Sequence, residues 1–143
     1  VNIVFDMDGT LCNIEHRLHL IQNKPKDWPA FFRACVDDKP VLNLLALCSQ
    51  LILAGNAVDI WSGRSDIVRP QTERWLNQHA IGYRTLRMRE DGDYRADDIV
   101  KGEWLDAMPR EEWPDVAFDD RQRVVDMWRS RGVLCCQVAP GDF

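Results

Sequence analysis

With 143 residues, 45% of them hydrophobic and 29% charged, the chain has the balance of an ordinary globular domain, which excludes a disordered segment, a collagen-like repeat or a miniature disulfide scaffold. Its formal charge of −5 argues against a protein that coats nucleic acid nonspecifically, though not against one that grips a single phosphate. The most apolar run, 41–54, is broken by Asn43, Ser49 and Gln50 and falls short of the roughly 18 to 20 apolar residues of a membrane span, and no basic-then-apolar leader is visible. Five cysteines (Cys12, Cys35, Cys48, Cys135 and Cys136) cannot all pair within one chain, so a reducing, cytoplasmic setting is expected. The three histidines, His16, His19 and His79, show no zinc-site spacing with them.

In chain order, the apolar run at 2–5 predicts a buried strand that delivers Asp6-Met-Asp-Gly-Thr10 at its carboxyl end. Residues 12–40 have mixed patterning, three prolines and an aromatic patch at Trp28, Phe31 and Phe32, and are expected to form short helices and loops. From 41 the period becomes helical, with Pro40 at the start and Gly55 as the stop. A second strand follows at 56–61, closed by Ser62-Gly-Arg64, then a helix at 69–79 and an extended stretch at 85–89. Asp97 is the expected N-cap of a helix carrying Val100, Trp104, Leu105 and Met108 inward. A strand at 116–118 ends at Asp119-Asp120, a helix covers 121–131, and a last strand covers 133–138. Strands alternating with helices indicate an α/β fold with a mainly parallel sheet covered on both faces, and such sheets build sites outside the carboxyl ends of their strands.

Three predicted strands end in unusual polarity: Asp6 and Asp8, Ser62 and Arg64, and Asp119 and Asp120. Each pair alone has an ordinary explanation as turn material or a helix cap. Gathered at one sheet edge, they make a different pattern. Carboxylates that close repel unless a cation intervenes, and hard oxygen ligands suit Mg²⁺, whose shell a substrate phosphate readily completes. A serine hydroxyl and cationic side chains complement phosphate oxygens.

On these residues the chain resembles the haloacid dehalogenase (HAD) superfamily of phosphotransferases. Phe5-Asp-Met-Asp-Gly-Thr-Leu11 is similar to the first motif, Ser62 to the second, Lys101 to the third and Asp119-Asp120 to the fourth. Val58 to Arg64, Arg89-Glu-Asp-Gly-Asp-Tyr-Arg95 with Asp97-Asp98-Ile-Val-Lys101, and Asp119 to Arg129 through Gln137-Val-Ala-Pro-Gly-Asp-Phe143 resemble more specifically the 3′-phosphatase domains of phage polynucleotide kinase/phosphatases. No G-x-x-x-x-G-K-[ST] phosphate loop occurs in the chain, so 5′-phosphorylation is not expected of it.

The resemblance implies a HAD-like Rossmannoid domain over 1–143, with a five-stranded sheet and a small cap-like insertion at 12–40. It implies that Asp6 attacks phosphorus to form an aspartyl-phosphate, that Asp8 protonates the leaving oxygen and then activates water, and that Thr10 orients these acids. Ser62 and Lys101 would hold the phosphate oxygens, and Arg17 and Arg64 would assist in binding the substrate. Mg²⁺ would be held by Asp6, by the backbone carbonyl of Asp8 and by Asp120, with Asp119 behind Asp120. The implied activity is Mg²⁺-dependent removal of 3′-phosphate from a nucleic acid end. The alternatives are a phosphatase for free nucleotides or other small phosphometabolites, and a noncatalytic domain that binds nucleic acid ends.

Further cationic candidates for a strand groove are Arg87, Arg89 and Arg95, with Asp93 placed to pair with Arg95. Trp61, Trp75, Trp104 and Trp128 fit core positions. Trp28, with Phe31 and Phe32 near the mouth of the site, is the one tryptophan that offers a candidate stacking surface for a base as an alternative to packing.

Overall fold

The computed structural model describes residues 1–141; the closing Asp142 and Phe143 of the resemblance lie outside the described residues. The strands are β1 (Asn2–Phe5), β2 (Cys12–Asn13), β3 (Lys39–Pro40), β4 (Ala57–Ser65), β5 (Leu86–Arg89), β6 (Val116–Arg121) and β7 (Leu134–Gly141). The α-helices are α1 (Glu15–Gln22), α2 (Trp28–Arg33), α3 (Leu42–Leu53), α4 (Arg69–Gln78), α5 (Asp97–Asp106) and α6 (Gln122–Ser130). Five strands form one sheet in the order β5-β4-β1-β6-β7, and every pairing is parallel. From β1 the chain steps outward through β4 to β5, then returns to the other side of β1 for β6 and β7. The connections therefore leave the central strands in opposite directions, opening a crevice at the carboxyl ends of β1, β4 and β6.

Strand alternation divides the core between the two faces. Ile3, Phe5, Val58 and Ile60 point to the face covered by α1 to α4, where they meet Ile21, Phe31, Leu45, Cys48, Trp75 and Leu76. Val4, Trp61 and Ala117 point to the other, against Leu105 of α5 and Val124, Val125 and Trp128 of α6. A fully buried side chain of this size contributes about 1.5–3 kcal/mol, so the sheet is anchored from both sides. Trp75 and Trp128 lie in this core as their spacing predicts, and Trp61 packs on Trp104 and Trp128 with ring centroids 5.7 and 5.2 Å apart.

Several boundaries differ from the pattern-based expectation, among them the end of β7, which runs on to Gly141. β4 continues past Trp61 to Ser65, because a register shift between Ser62 and Ser65 keeps the polar segment paired with β5. β6 carries Asp119 and Asp120 within the strand, paired with β7 through Asp119 and Gln137. Asp97 is not the cap of α5; Ala96 occupies that position, and the Asp97 carboxylate is taken up by arginines instead. The 12–40 segment forms α1, α2, a short 3₁₀ turn and the two-residue β2–β3 ladder, beside the crevice.

Candidate active site

The turn after β1 is folded tightly: the amides of Thr10, Leu11 and Cys12 all donate to the Met7 carbonyl. Met7 and Leu11 are buried beneath it, which turns the polar residues toward the crevice. Gly9 has φ +84°, and a Cβ there would lie 2.1 Å from Asp120 Oδ2. Only a residue lacking Cβ lets the turn and the β6 carboxylate approach this closely.

Asp6, Asp119 and Asp120 are all buried, and they present carboxylate oxygens within 4.8 Å of one another. Lys101, projecting from α5 and itself 1% exposed, donates to Asp6 Oδ1 at 2.7 Å and Asp119 Oδ2 at 2.9 Å. Thr10 Oγ1 donates to Asp6 Oδ2 at 3.3 Å. Asp119 is saturated, since its Oδ1 also accepts the amides of Asp120 and Arg121. Asp120 is not: its Oδ1 is buried without a hydrogen-bond partner.

Burial pushes the Asp6 carboxyl well above its ordinary range, with Lys101 opposing and the Asp119 and Asp120 charges adding to the rise. Burial and then Asp119 push Asp120 up to about 7 against Lys101 and Arg121. Burial opposes the charge on Lys101, but Asp119, Asp6 and Asp97 outweigh it and raise its pKa. Were all three carboxylates ionised, the one ammonium bonded to them would leave two negative charges to be met, which is why Asp6 and Asp120 hold their protons more tightly than usual. That deficit, an all-oxygen donor set and an orphaned buried carboxylate oxygen fit a divalent hard cation.

Asp8 belongs to a second cluster. Its Oδ1 accepts from Arg17 Nη2 at 2.9 Å and Arg64 Nε at 2.8 Å. Both guanidiniums are fully buried and both also bind Asp38, whose Oδ1 accepts from Arg17 Nε at 2.8 Å and whose Oδ2 accepts from Arg17 Nη2 at 2.6 Å and Arg64 Nη2 at 2.7 Å. His16 Nε2 lies 2.7 Å from Asp38 Oδ1. Burial raises the Asp8 pKa, but Arg17 and Arg64 prevail and bring it down to about 2. Two aspartates and two arginines balance here, so the cluster of Asp8, Cys12 and Asp38 has no charge deficit for a metal to fill. Asp38 is the site residue that sequence reasoning missed. It lies 30 positions from Asp8 in a segment without periodicity, and no local signal marks it.

Ser62 is buried at the crevice end of β4, where its Oγ accepts the Arg64 amide at 3.2 Å; among the described residues no hydrogen bond ties it to either carboxylate cluster. The three outer arginines divide. Arg89 is buried and donates to the carbonyls of Gly63, Asp93 and Arg95 and to Asp97, whose other oxygen accepts from Arg121 Nη1 at 3.2 Å. Arg95 pairs with Asp93 and Glu103, bracing the 90–96 loop as the charge pattern allows. Arg87 is not at the site; it lies over the rings of Trp61 and Trp104 on the α5–α6 face.

Above Asp6, Asp8 and Asp120 opens a cavity of about 520 Å³. Its walls include Trp28 from the 12–40 segment and Tyr94 from the 90–96 loop.

Five parallel strands in this order, with an Asp-x-Asp turn, a buried lysine and an Asp-Asp pair converging at one edge, define a phosphatase of the HAD type. The chain belongs to the family described as the polynucleotide kinase PNKP phosphatase domain, whose model matches residues 1–143. It is similar in structure to a chain of the Pnkp1/Rnl/Hen1 complex, with a TM-score of 0.82 and 32% identity over 99% of this chain and 47% of that one. A second structure, of the Pnkp1/Rnl/Hen1 RNA repair complex, gives a TM-score of 0.81 and 32% identity over 99% and 43%. The chain thus spans less than half the length of these relatives. The class C acid phosphatase from Bacillus anthracis with tungstate bound shares the fold at 11% identity, with a TM-score of 0.66 over 99% of this chain and 66% of that one. No helix among the described residues is long and apolar enough to cross a membrane.

Proposed function

We propose that this phosphatase removes 3′-phosphate from polynucleotide ends in a Mg²⁺-dependent reaction that passes through a phosphoryl group on Asp6. The observation that carries the proposal is the Asp6–Asp120 pair at the floor of the cavity, one carboxylate held by Lys101 and the other with an oxygen left unpartnered. Asp6, Asp120 and the backbone carbonyl of Asp8 would hold Mg²⁺, which would supply positive charge against the non-bridging phosphate oxygens.

In the first half-reaction an Asp6 oxygen bonds to phosphorus while the bond from phosphorus to the 3′-oxygen breaks, and Asp8 gives its proton to that oxygen. In the second, water attacks the phosphorus, Asp8 takes the water's proton, and the Asp6–phosphorus bond breaks to release inorganic phosphate. Arg17 and Arg64 hold free Asp8 ionised, as the second step requires. For the first step, a substrate phosphate entering as its monoanion would bring the proton that Asp8 relays to the 3′-oxygen, and its negative charge raises the proton affinity of Asp8. Lys101 aims Asp6 and opposes the burial that raises its proton affinity, and Ser62 lies where the β4 end would meet phosphate oxygens. Residues 12–40 act as a small cap that leaves the cavity wide enough for a chain end. A polynucleotide end is also the substrate class suggested by relatives found in an RNA repair complex.

The test is phosphate release from one oligonucleotide sequence carrying the phosphate at its 3′ end, the same sequence carrying it at its 5′ end, and free 3′- and 5′-mononucleotides. The 3′-phosphorylated oligonucleotide should have the highest kcat/KM. Better turnover of the 5′ isomer or of the mononucleotides would reject the assignment.

A further inference from the structure

Four aromatic side chains that the chemistry at the floor does not use line the cavity, Trp28, Phe31, Phe32 and Tyr94, and of these Phe31 and Phe32 are buried. Trp28, on α2, is half-buried and lines the cavity. It stands edge-on to Phe31, with centroids 5.6 Å apart and planes at 90°, and leans on Phe32 at 5.9 Å. Phe31 and Phe32 are buried, and the Arg17 guanidinium lies 4.3 Å from the Phe31 ring centroid. The helix beneath is pinned at its start by Asp27, whose carboxylate accepts the Ala30 amide at 3.0 Å, and by Pro29. The Trp28 ring is therefore fixed from below.

Tyr94 reaches the same cavity from a different element. It is 65% exposed. Its loop is not loose. Arg89 holds the carbonyls on either side of it, those of Asp93 and Arg95, at 2.9 and 2.7 Å, and Arg95 bridges Asp93 and Glu103. An exposed aromatic on a doubly braced loop is presented at little conformational cost, which suits a binding contact. Lys26, whose ammonium lies 5.8 Å from the Trp28 ring centroid, and Arg123 also line the cavity, and neither has a carboxylate partner among the described residues.

We infer that Trp28 and Tyr94 form an aromatic clamp for the base of the 3′-terminal nucleotide, with Lys26 and Arg123 facing the preceding backbone phosphates. This rests on the polynucleotide reading above and deepens it. Stacking needs only a π-face, so the clamp recognises the presence of a base, not its identity. It requires the base at the end being processed, which a phosphatase for non-nucleotide esters would not.

The test compares two oligonucleotides, one ending in an ordinary 3′-phosphorylated nucleotide and the other in a 3′-phosphorylated abasic deoxyribose. The unaltered protein should prefer the base-bearing end by about 5- to 100-fold in kcat/KM, mostly through KM. Tyr94→Ala and Trp28→Ala should each bring that ratio down toward one, and Tyr94→Phe should retain it. Because Trp28 packs on two buried rings, Tyr94→Ala decides the matter if Trp28→Ala fails to fold. A ratio near one in the unaltered protein, or a ratio that Tyr94→Ala leaves intact, would overturn the clamp while the 3′-phosphatase assignment stands. Hydrolysis of a small phosphomonoester with no turnover of either 3′ end would overturn both.

Discussion

Replacing Asp38 by alanine should be among the most damaging single changes in this protein, although Asp38 touches no reacting atom. Its side chain is fully buried and accepts hydrogen bonds from Arg17 Nε, Arg17 Nη2 and Arg64 Nη2 at 2.6 to 2.8 Å, with His16 at 2.7 Å. Without it, two buried guanidiniums must share the one carboxylate of Asp8. Breaking one partner out of such a buried arrangement costs about 3–5 kcal/mol, because the remaining charges are left desolvated and unbalanced. In a domain of this size each kcal/mol is worth about 3 °C of melting temperature, so Asp38→Ala should melt about 10–15 °C lower. Asp38→Asn keeps one acceptor oxygen but turns an amide toward a guanidinium, and should lose about half as much. Activity should fall further than stability explains. With Asp38 gone, both arginines act on Asp8 alone and hold its proton affinity lower still, which slows protonation of the leaving group and so lowers kcat more than it raises KM. Urea unfolding and steady-state kinetics on the two variants give the required numbers. A loss below about 1 kcal/mol for Asp38→Ala at unchanged m-value would refute the claim that this carboxylate holds the arginine pair.

Mg²⁺ added to metal-stripped protein should raise the melting temperature by about 8 °C at a hundredfold excess over its dissociation constant, and Asp120→Asn should abolish the shift; a shift that survives in Asp120→Asn would move the metal elsewhere. Arg64→Lys should depress kcat/KM on a 3′-phosphorylated oligonucleotide and on an aryl phosphate by similar factors, about 10²-fold, because lysine cannot reach Asp8, Asp38 and Thr72 together; a loss confined to the oligonucleotide would place Arg64 in strand binding instead. Gly9→Ala should remove both activity and the Mg²⁺-dependent thermal shift, since its Cβ would collide with Asp120 in a turn already at positive φ; near-normal kcat would show that the close approach is dispensable.

Fold and site were legible to different degrees, for physical reasons. β1, α3, α6 and the parallel sheet follow from apolar runs and helical spacing, signals that burial on two faces imposes directly. The ends of β4 and β6 do not, because polar residues there read as strand termini. Ser62 and Asp119 stay in the ladder because the fold supplies partners that periodicity cannot show: the Arg64 amide for Ser62, Lys101 and two amides for Asp119. Asp6, Asp8 and Asp120 stand out because carboxylates crowd at strand ends. Arg17 is reached only through the family resemblance, since a fully buried arginine in α1 contradicts the rule that charged residues mark the solvent face. Asp38, which makes that burial tolerable, is visible only once the chain is folded.

The account rests on phosphoryl transfer to Asp6, and that can be seen on the protein itself. An oligonucleotide labelled with ³²P in its 3′-phosphate would be mixed with the protein in Mg²⁺, quenched in acid during turnover, and the protein digested and mapped. The label should be acid-stable, released by hydroxylamine, confined to the peptide containing Asp6 and absent from Asp6→Asn. Label on another residue, or phosphate release by Asp6→Asn at near the parent rate, would contradict the account.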